Sequence, residues 1–136
     1  MYHHILIATD GSPIADKALI HGLALAKALA ARVTVLAVAE PQHGLALPST
    51  HQLARAEAEG VLDRASQSAK AVGVECRTLL MEHPHPHEQI IKTASEGSCG
   101  VIVMASHGRH GVAKLMLGSE TTKVLAQSKI PVLVYR

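Results

Sequence analysis

Residues 101–119 read VIVMASHGRHGVAKLMLGS, and this stretch decides the fold. The short apolar run at 101–104 predicts a strand that is buried on both faces, as strands of parallel sheets are. The loop after it carries glycines at 108 and 111, and Ser119 then predicts the N-cap of a helix. Backbone N–H groups at a helix N-terminus, beside glycines that let the main chain approach closely, form a site for anions such as phosphate.

The composition favours an aliphatic core. Apolar residues make up 48% of the chain, yet Phe and Trp are absent and there are only two Tyr. Ala, Val, Leu and Ile must therefore fill the interior, which suits parallel strands covered by alanine-rich helices. A chain of 136 residues is long enough to bury such a core, and we expect one domain over 1–136.

Charge and hydropathy argue against nucleic-acid and membrane partners. The formal net charge is only +2, and the lack of aromatics removes a stacking platform for bases. The sequence contains no apolar stretch of the length that a membrane span needs and no secretory signal at its start. We therefore expect a cytoplasmic protein in which Cys76 and Cys99 are free, small core residues rather than a redox pair.

Strand and helix patterns alternate along the chain on both sides of the opening stretch. Strands are predicted at 5–8, 33–39, 74–80, 101–104 and 131–135, and helices at 13–31, 50–71, 87–96 and 119–127. The alternation predicts a parallel sheet with helices on both faces. Positions expected to face the sheet include Ala18, Gly22 and Leu29 in the first helix and Leu53, Val61 and Val72 in the second.

Two polar loops are candidates for a shared site. In an open parallel sheet, ligands bind beyond the carboxyl ends of the strands, where the strand order reverses. Thr9 to Ser12 follow the first strand, and Ala105 to Ser119 follow the fourth. If these two strands are neighbours, their loops face each other and form one cradle.

Each candidate residue also has a plainer interpretation. Asp10 can stabilise the start of the first helix, where negative charge is favoured, or contact a ligand. Gly108 and Gly118 can mark a turn and a helix start, or let a phosphate approach the main chain. His107 can face solvent, ligate or act as a base, and Arg109, like Lys114, can meet phosphates or remain a surface charge.

The tract His83-Pro84-His85-Pro86-His87 resembles a metal-binding sequence. Alternating prolines favour polyproline geometry, which splays residues two apart, and the sequence supplies no evident fourth ligand. We therefore predict no metal site.

Catalytic motifs are missing from the sequence. There is no Gly-x-Ser-x-Gly elbow of a hydrolase and no Gly-Lys-Ser/Thr run of a phosphate-binding loop NTPase. Asp10 is the acid expected in the cleft, with Glu120 a second candidate, whereas phosphoryl transfer needs carboxylates to hold Mg²⁺. We predict no catalytic residue, and slow or no turnover of a bound nucleotide.

These features resemble the universal stress protein family over the whole chain. The resemblance includes ILIATDGS at 5–12, the segment 104–119, GSET at 118–121 and IPVLV at 130–134. Nucleotide-binding members carry Gly, two residues, Gly, nine residues, Gly and then Ser or Thr. The last part of this spacing is present here from Gly108 to Ser119, whereas Ala105 replaces the first glycine. That methyl lowers affinity if a ligand passes close to it, and is tolerated if the backbone angles are ordinary.

The resemblance implies an open five-stranded parallel sheet in the order 3-2-1-4-5, a Rossmann-like fold of the adenine nucleotide alpha hydrolase type. It also implies a stress-response protein that binds ATP, with or without Mg²⁺, and dimerises through Pro131 to Tyr135. That terminal strand is apolar, and a second copy would cover its edge. The implied nucleotide contacts are Ala8, Thr9, Asp10, Val38, Met104, Ala105, His107, Gly108, Arg109, Gly118, Ser119, Glu120 and Thr121.

The implied contacts divide between the parts of a nucleotide. Asp10 lies at the ribose and base end, Val38 packs near the adenine, and Met104 with Ala105 forms the floor. The residues from Gly108 and Gly118 onward contact ribose and phosphates. Three functions stay open at this point: a nucleotide-binding regulator, a nucleotide-independent dimeric interaction module, and a weak ATPase.

Overall fold

The computed structural model describes residues 1–41, 47–108 and 116–136. Strands and helices alternate along the chain as predicted. The strands are β1 (His4–Ala8), β2 (Arg32–Ala39), β3 (Cys76–Glu82), β4 (Val101–Ala105) and β5 (Val132–Tyr135). The helices are α1 (Pro13–Leu29), α2 (Pro48–Val72), α3 (Pro86–Glu96) and α4 (Ser119–Gln127).

The sheet confirms the predicted architecture. Its strand order is β3-β2-β1-β4-β5, and every pair is parallel. Ile5 lies opposite Val33 on one side and Val101 on the other, so β1 is the centre of the sheet. The strand order reverses between β1 and β4, which are neighbours in the sheet. The switch point, where the order reverses, therefore lies between these two strands. β3 lies at one edge and is partly exposed.

Side chains from alternate strand positions form two core layers. One layer contains Ile5 and Ile7 of β1 with residues of α1 and α2, and the other contains Leu6 and Ala8 with residues of α3 and α4. Both faces of each central strand are therefore buried, which explains why these strands have continuous apolar sequences.

Gly22 brings α1 close to the sheet. A Cβ built on it would lie 2.7 Å from Ile7 Cδ1 and 3.3 Å from Val103 Cγ1. The lack of a side chain at Gly22 therefore sets the distance between the helix and β1 and β4.

His4 ties the opposite end of the sheet together. Its Nδ1–H donates to the carbonyl of Gly97 at 2.8 Å, and its Nε2 accepts from the hydroxyl of Thr34 at 2.7 Å. This tautomer satisfies both ring nitrogens, and it links β1, β2 and the end of α3.

Several local predictions were wrong. α1 ends at Leu29 rather than at residue 31, because Ala30 adopts a left-handed conformation (φ 53°), and Leu29 is exposed. Leu53 is 71% exposed and Val72 is 45% exposed. The buried positions of α2 begin only at Val61, because the first turns of this long helix extend beyond the core. Helical periodicity reports a face of a helix, but not where that helix leaves the sheet.

Two further boundaries differ from prediction. β3 runs from Cys76 to Glu82, two residues later than its apolar run suggested. Gly118 occupies the N-cap of α4, and Ser119 is the first helical residue instead of the cap. No helix in the described parts of the chain has the length and apolar character needed to cross a membrane.

Candidate functional site

The loop after β1, here called the early loop, comprises Thr9 to Ser12 and is held by its own side chains. The N–H of Thr9 donates to the carbonyl of Leu36 at 2.9 Å and continues the strand pairing. Thr9 Oγ1 accepts from the N–H of Gly11 at 3.2 Å, and Asp10 Oδ1 accepts from the N–H of Ser12 at 2.9 Å. Gly11 has φ +78°, a conformation that glycine adopts without strain. The exposed Asp10 carboxylate is therefore fixed in place at the end of β1.

The start of α1 completes the early loop. Ser12 is the N-cap, with its Oγ accepting from the N–H of Ala15 at 3.3 Å, and Pro13 opens the helix. A Ser-Pro pair favours such a helix start, and Asp10 also supports it by accepting from the N–H of Ser12.

The loop after β4, here called the late loop, spans 106–118, and its two ends meet. The N–H of Ser106 donates to the carbonyl of Tyr135 at 2.7 Å, and the N–H of Gly118 donates to the carbonyl of Ser106 at 2.7 Å. A Cβ on Gly118 would lie 3.1 Å from the Cα of His107, closer than most Cβ contacts. The φ of Gly118 is −63°, which any residue can adopt, so the backbone angle does not require a glycine here. The close approach to His107 is the reason for glycine at this position.

Thr121 anchors α4 to β4. Its hydroxyl donates to the carbonyl of Ala105 at 2.9 Å, and its side chain is buried. The first turn of α4 is thereby fixed relative to the strand that precedes the late loop. Ser119 is exposed at the helix start, where the first N–H groups of a helix have no partner within the helix itself.

The early and late loops touch at Gly108. A Cβ on Gly108 would fall well inside contact distance of Asp10 Oδ2. The pairing of β1 with β4 causes this approach, because adjacent parallel strands end at the same edge of the sheet. The two loops therefore face each other at this edge of the sheet, as expected for neighbouring strands, and their use as a ligand cradle stays a prediction.

A cleft of about 640 Å³ opens beside this contact. The cleft is lined by the start of α1, the segment His107–Gly108 and the end of β5. Lys17 and Tyr135 are among the lining residues. His107 lines this cleft, and its Nδ1 lies 3.1 Å from the hydroxyl of Ser106. The volume is within the range of small-molecule sites.

Not all predicted contacts line that cleft. Ala8 and Met104 are buried in the core layer under α3 and α4, and the partly buried Val38 packs against the same layer. Ala105 packs on the other face, against Ala15 and Ala18. Its backbone has no positive φ, so the methyl that replaces the family's glycine is accommodated without strain.

Glu120 has a partner that the sequence did not indicate. Its Oε2 accepts from the N–H of His87 at 2.7 Å and from His87 Nδ1–H at 2.9 Å, and Lys123 Nζ lies 3.6 Å from its Oε1. Burial alone would raise the pKa of Glu120, but the His87 amide, the His87 ring and Lys123 outweigh it, so the pKa is lowered. The structure thus directs this carboxylate to α3, and its predicted contact with ribose or phosphate stays a prediction.

The histidine tract does not form a metal site in the described residues. The rings of His83 and His85, and those of His85 and His87, have centroids 6.1 Å apart and are tilted. No group of three or more His, Cys, Asp or Glu within the described ranges is arranged to hold a metal ion. His83 instead lies 3.7 Å from Glu88.

The remaining candidates are the two cysteines and the basic residues of the late loop. Cys99 is buried and Cys76 is half-buried, both are free thiols, and burial raises the pKa of each. Arg109 and Lys114 lie outside the described residues.

Comparison with known proteins agrees with this geometry. The sequence model of the universal stress protein family matches residues 1–136. A universal stress protein of Thermus aquaticus is 31% identical over 137 residues, covering 100% of both chains. The solved structure of the hypothetical protein MJ0577, a Methanocaldococcus jannaschii protein, superposes with a TM-score of 0.83 at 30% identity, covering 99% of this chain and 96% of the other.

Two more distant structures contain nucleotides. One is a universal stress protein in complex with cAMP, with a TM-score of 0.78, and it covers 99% of this chain and 97% of that one. The other is the Archaeoglobus fulgidus protein in complex with dAMP, with a TM-score of 0.76, covering 99% and 98% of the two chains. Each is 22% identical to this chain and shows that the fold is shared.

Proposed function

Because the chain belongs to the universal stress protein family, we propose that it is a cytoplasmic stress-response regulator that binds an adenine nucleotide where the early and late loops meet. The observation that carries this proposal is the contact of Gly108 with Asp10 across the switch point between β1 and β4. Parallel sheets bind their ligands at such a place. The cAMP and dAMP complexes of two relatives support adenine with a phosphate as the ligand class.

The proposed contacts follow the chemistry of the loops. The fixed, exposed Asp10 carboxylate would accept hydrogen bonds from ribose hydroxyls, and Val38 would pack beside the adenine. The phosphates would meet the N–H groups after Gly118, at the start of α4, where Ser119 is exposed. His107, at the mouth of the cleft, and Arg109 would complete the phosphate end.

We propose ATP as the ligand, with or without Mg²⁺, and little or no hydrolysis. Asp10 is the carboxylate that the early loop presents, whereas the Glu120 carboxylate is engaged by His87. A single acid gives Mg²⁺ and an attacking water poor support. A weak ATPase would instead release phosphate in a steady-state assay, and Asp10→Ala would abolish that release.

Calorimetric titration with ATP, ADP, AMP and cAMP tests the binding. The wild-type protein should give saturable heat, and Gly108→Ala should weaken the affinity by about tenfold or more, because its methyl lies against Asp10. Gly60→Ala is the matched control: a Cβ there makes an ordinary contact with Arg64 Nη1 at 3.7 Å, and binding should be unchanged. No heat with the wild-type protein at millimolar ATP would reject nucleotide binding.

We also propose a homodimer through the strand Pro131 to Tyr135. β5 is an edge of the sheet, and Leu133 is 46% exposed on it. An apolar edge with unpaired main-chain groups is covered most simply by a second copy. Sedimentation should show a dimer that Leu133→Lys dissociates and Leu53→Lys, on the exposed part of α2, leaves intact. A dimer that ignores every nucleotide in thermal melts would favour a nucleotide-independent interaction module.

A further inference from the structure

The contact between His87 and Glu120 joins two helices whose N-termini lie at the same edge of the sheet. His87 is at the second position of α3, and Glu120 is at the second position of α4. The His87 side chain is only 8% exposed, and that of Glu120 is 33% exposed. Since an ionised carboxylate only accepts, the short distance to Nδ1 requires the proton on Nδ1.

Glu120 acts as a cap for α3 from outside that helix. The first N–H groups of a helix need acceptors, and the N–H of His87 finds one in Glu120 Oε2 at 2.7 Å. The negative charge is also favourable at the positive end of α3. The carboxylate is therefore oriented toward α3, and the His87 ring donates to the same oxygen.

The same carboxylate is unfavourable for its own helix if that helix binds phosphate. Glu120 lies within one turn of Gly118, at the helix start where the phosphates are proposed to bind. A negative charge there repels a phosphate. It should therefore lower the affinity for a phosphorylated ligand more than the affinity for an uncharged one. The two donors of His87, together with Lys123, offset this charge and hold it on the α3 side.

We propose that His87 is a positioning residue that sets the preference of the site for phosphorylated over unphosphorylated nucleosides, by holding and compensating the Glu120 carboxylate. The inference rests on the proposed nucleotide site and adds a determinant that lies in the histidine tract. His87 is not placed in contact with the ligand. Its effect passes through Glu120 to the first turn of α4.

The test compares ATP with adenosine by calorimetry at one pH. In His87→Ala the affinity for ATP should fall by about three- to tenfold, while that for adenosine stays within about twofold. Glu120→Gln placed in the His87→Ala background should restore the ratio of the two affinities, because the uncompensated charge is gone. His3→Ala is the control for the loss of a histidine, since the exposed His3 precedes β1 at the opposite end of the sheet, and it should change neither affinity.

The outcomes separate the inference from the proposed function. A wild-type protein that binds neither ligand removes the nucleotide site and the inference together. A wild-type protein that binds both, with His87→Ala lowering the two affinities equally, shows a purely structural role and overturns the inference alone. If His87→Ala does not fold, Glu120→Gln alone decides: it should leave the ratio of ATP to adenosine affinity unchanged or raise it, and a lowered ratio overturns the inference.

Discussion

Replacing Glu120 by Gln should destabilise the protein in a way that depends on pH. The substitution keeps the shape of the side chain and one oxygen acceptor, but it removes the charge that receives both donors of His87. Hydrogen bonds to a charged group contribute about 1.5–3 kcal/mol, against about 1 kcal/mol for neutral ones. The carboxylate is one-third exposed, and solvent screening reduces the difference. We expect a loss of about 1–2 kcal/mol in the free energy of unfolding, with little of it from the exposed Lys123.

The sign of the pH effect follows from the lowered pKa of Glu120. The pKa is lower in the folded protein than its usual value of 4.5, so folding favours the ionised form. The contribution is complete above the unfolded-state pKa and is lost as the pH falls through the lower folded-state pKa. The stability difference between wild type and Glu120→Gln should therefore be full at about pH 7 and should shrink as the pH falls below 4.5 and through the lower folded-state pKa.

Urea unfolding at a series of pH values measures this difference. Glu59→Gln is the control, because it makes the same change on an exposed helical carboxylate, which pairs with Arg55 at 3.3 Å. That variant should lose less than about 0.5 kcal/mol. A difference for Glu120→Gln that does not shrink in acid, or a Glu59→Gln loss of equal size, would refute a role of the ionised Glu120 in holding α3.

Three further outcomes are expected. Gly22→Ala should lower the free energy of unfolding by about 1–3 kcal/mol, because its methyl collides with the sheet. Gly60→Ala should instead raise it by about 0.5–1 kcal/mol, because alanine has the higher helix propensity. Urea midpoints of the two variants that shift in the same direction would contradict this. His4→Ala should cost about 1–3 kcal/mol, since two hydrogen bonds are lost and a buried hydroxyl loses its acceptor; unchanged urea unfolding would show that the ring is dispensable. Cys76 and Cys99 have raised pKa values, so at neutral pH both thiols should react with a disulfide reagent more slowly than in urea, and a fast native reaction would disagree.

The layered architecture could be predicted from local patterns. The apolar runs around Ile7 and Val103 are continuous, which indicates strands covered on both faces, and their alternation with helical segments indicates a parallel sheet. The Ser12-Pro13 pair and Gly73 mark helix ends by backbone chemistry that acts within a few residues. Such features depend on nearest neighbours along the chain, so local patterns indicate them.

Positions that depend on packing were predicted less well. Leu53 has the periodicity of a buried residue, yet α2 extends past the core at that point and leaves it exposed. Ser119 has the chemistry of an N-cap, yet Gly118 occupies the N-cap position and Ser119 is the first helical residue. The N–H of Gly118 donates to the carbonyl of Ser106, and this bond fixes where the helix begins. In both cases the deciding contact is made by another element of the fold.

The amino-acid sequence by itself determined the order of strands and helices, the aliphatic core, the family and the two loops that are candidates for a ligand site. Only the tertiary structure decided that Gly108 reaches Asp10, and that Glu120 accepts from His87, 33 residues earlier. The physical reason is that strand and helix patterns arise from interactions over a few residues. The direction of a single carboxylate depends instead on which donors the packing of α3 against α4 brings within hydrogen-bonding distance.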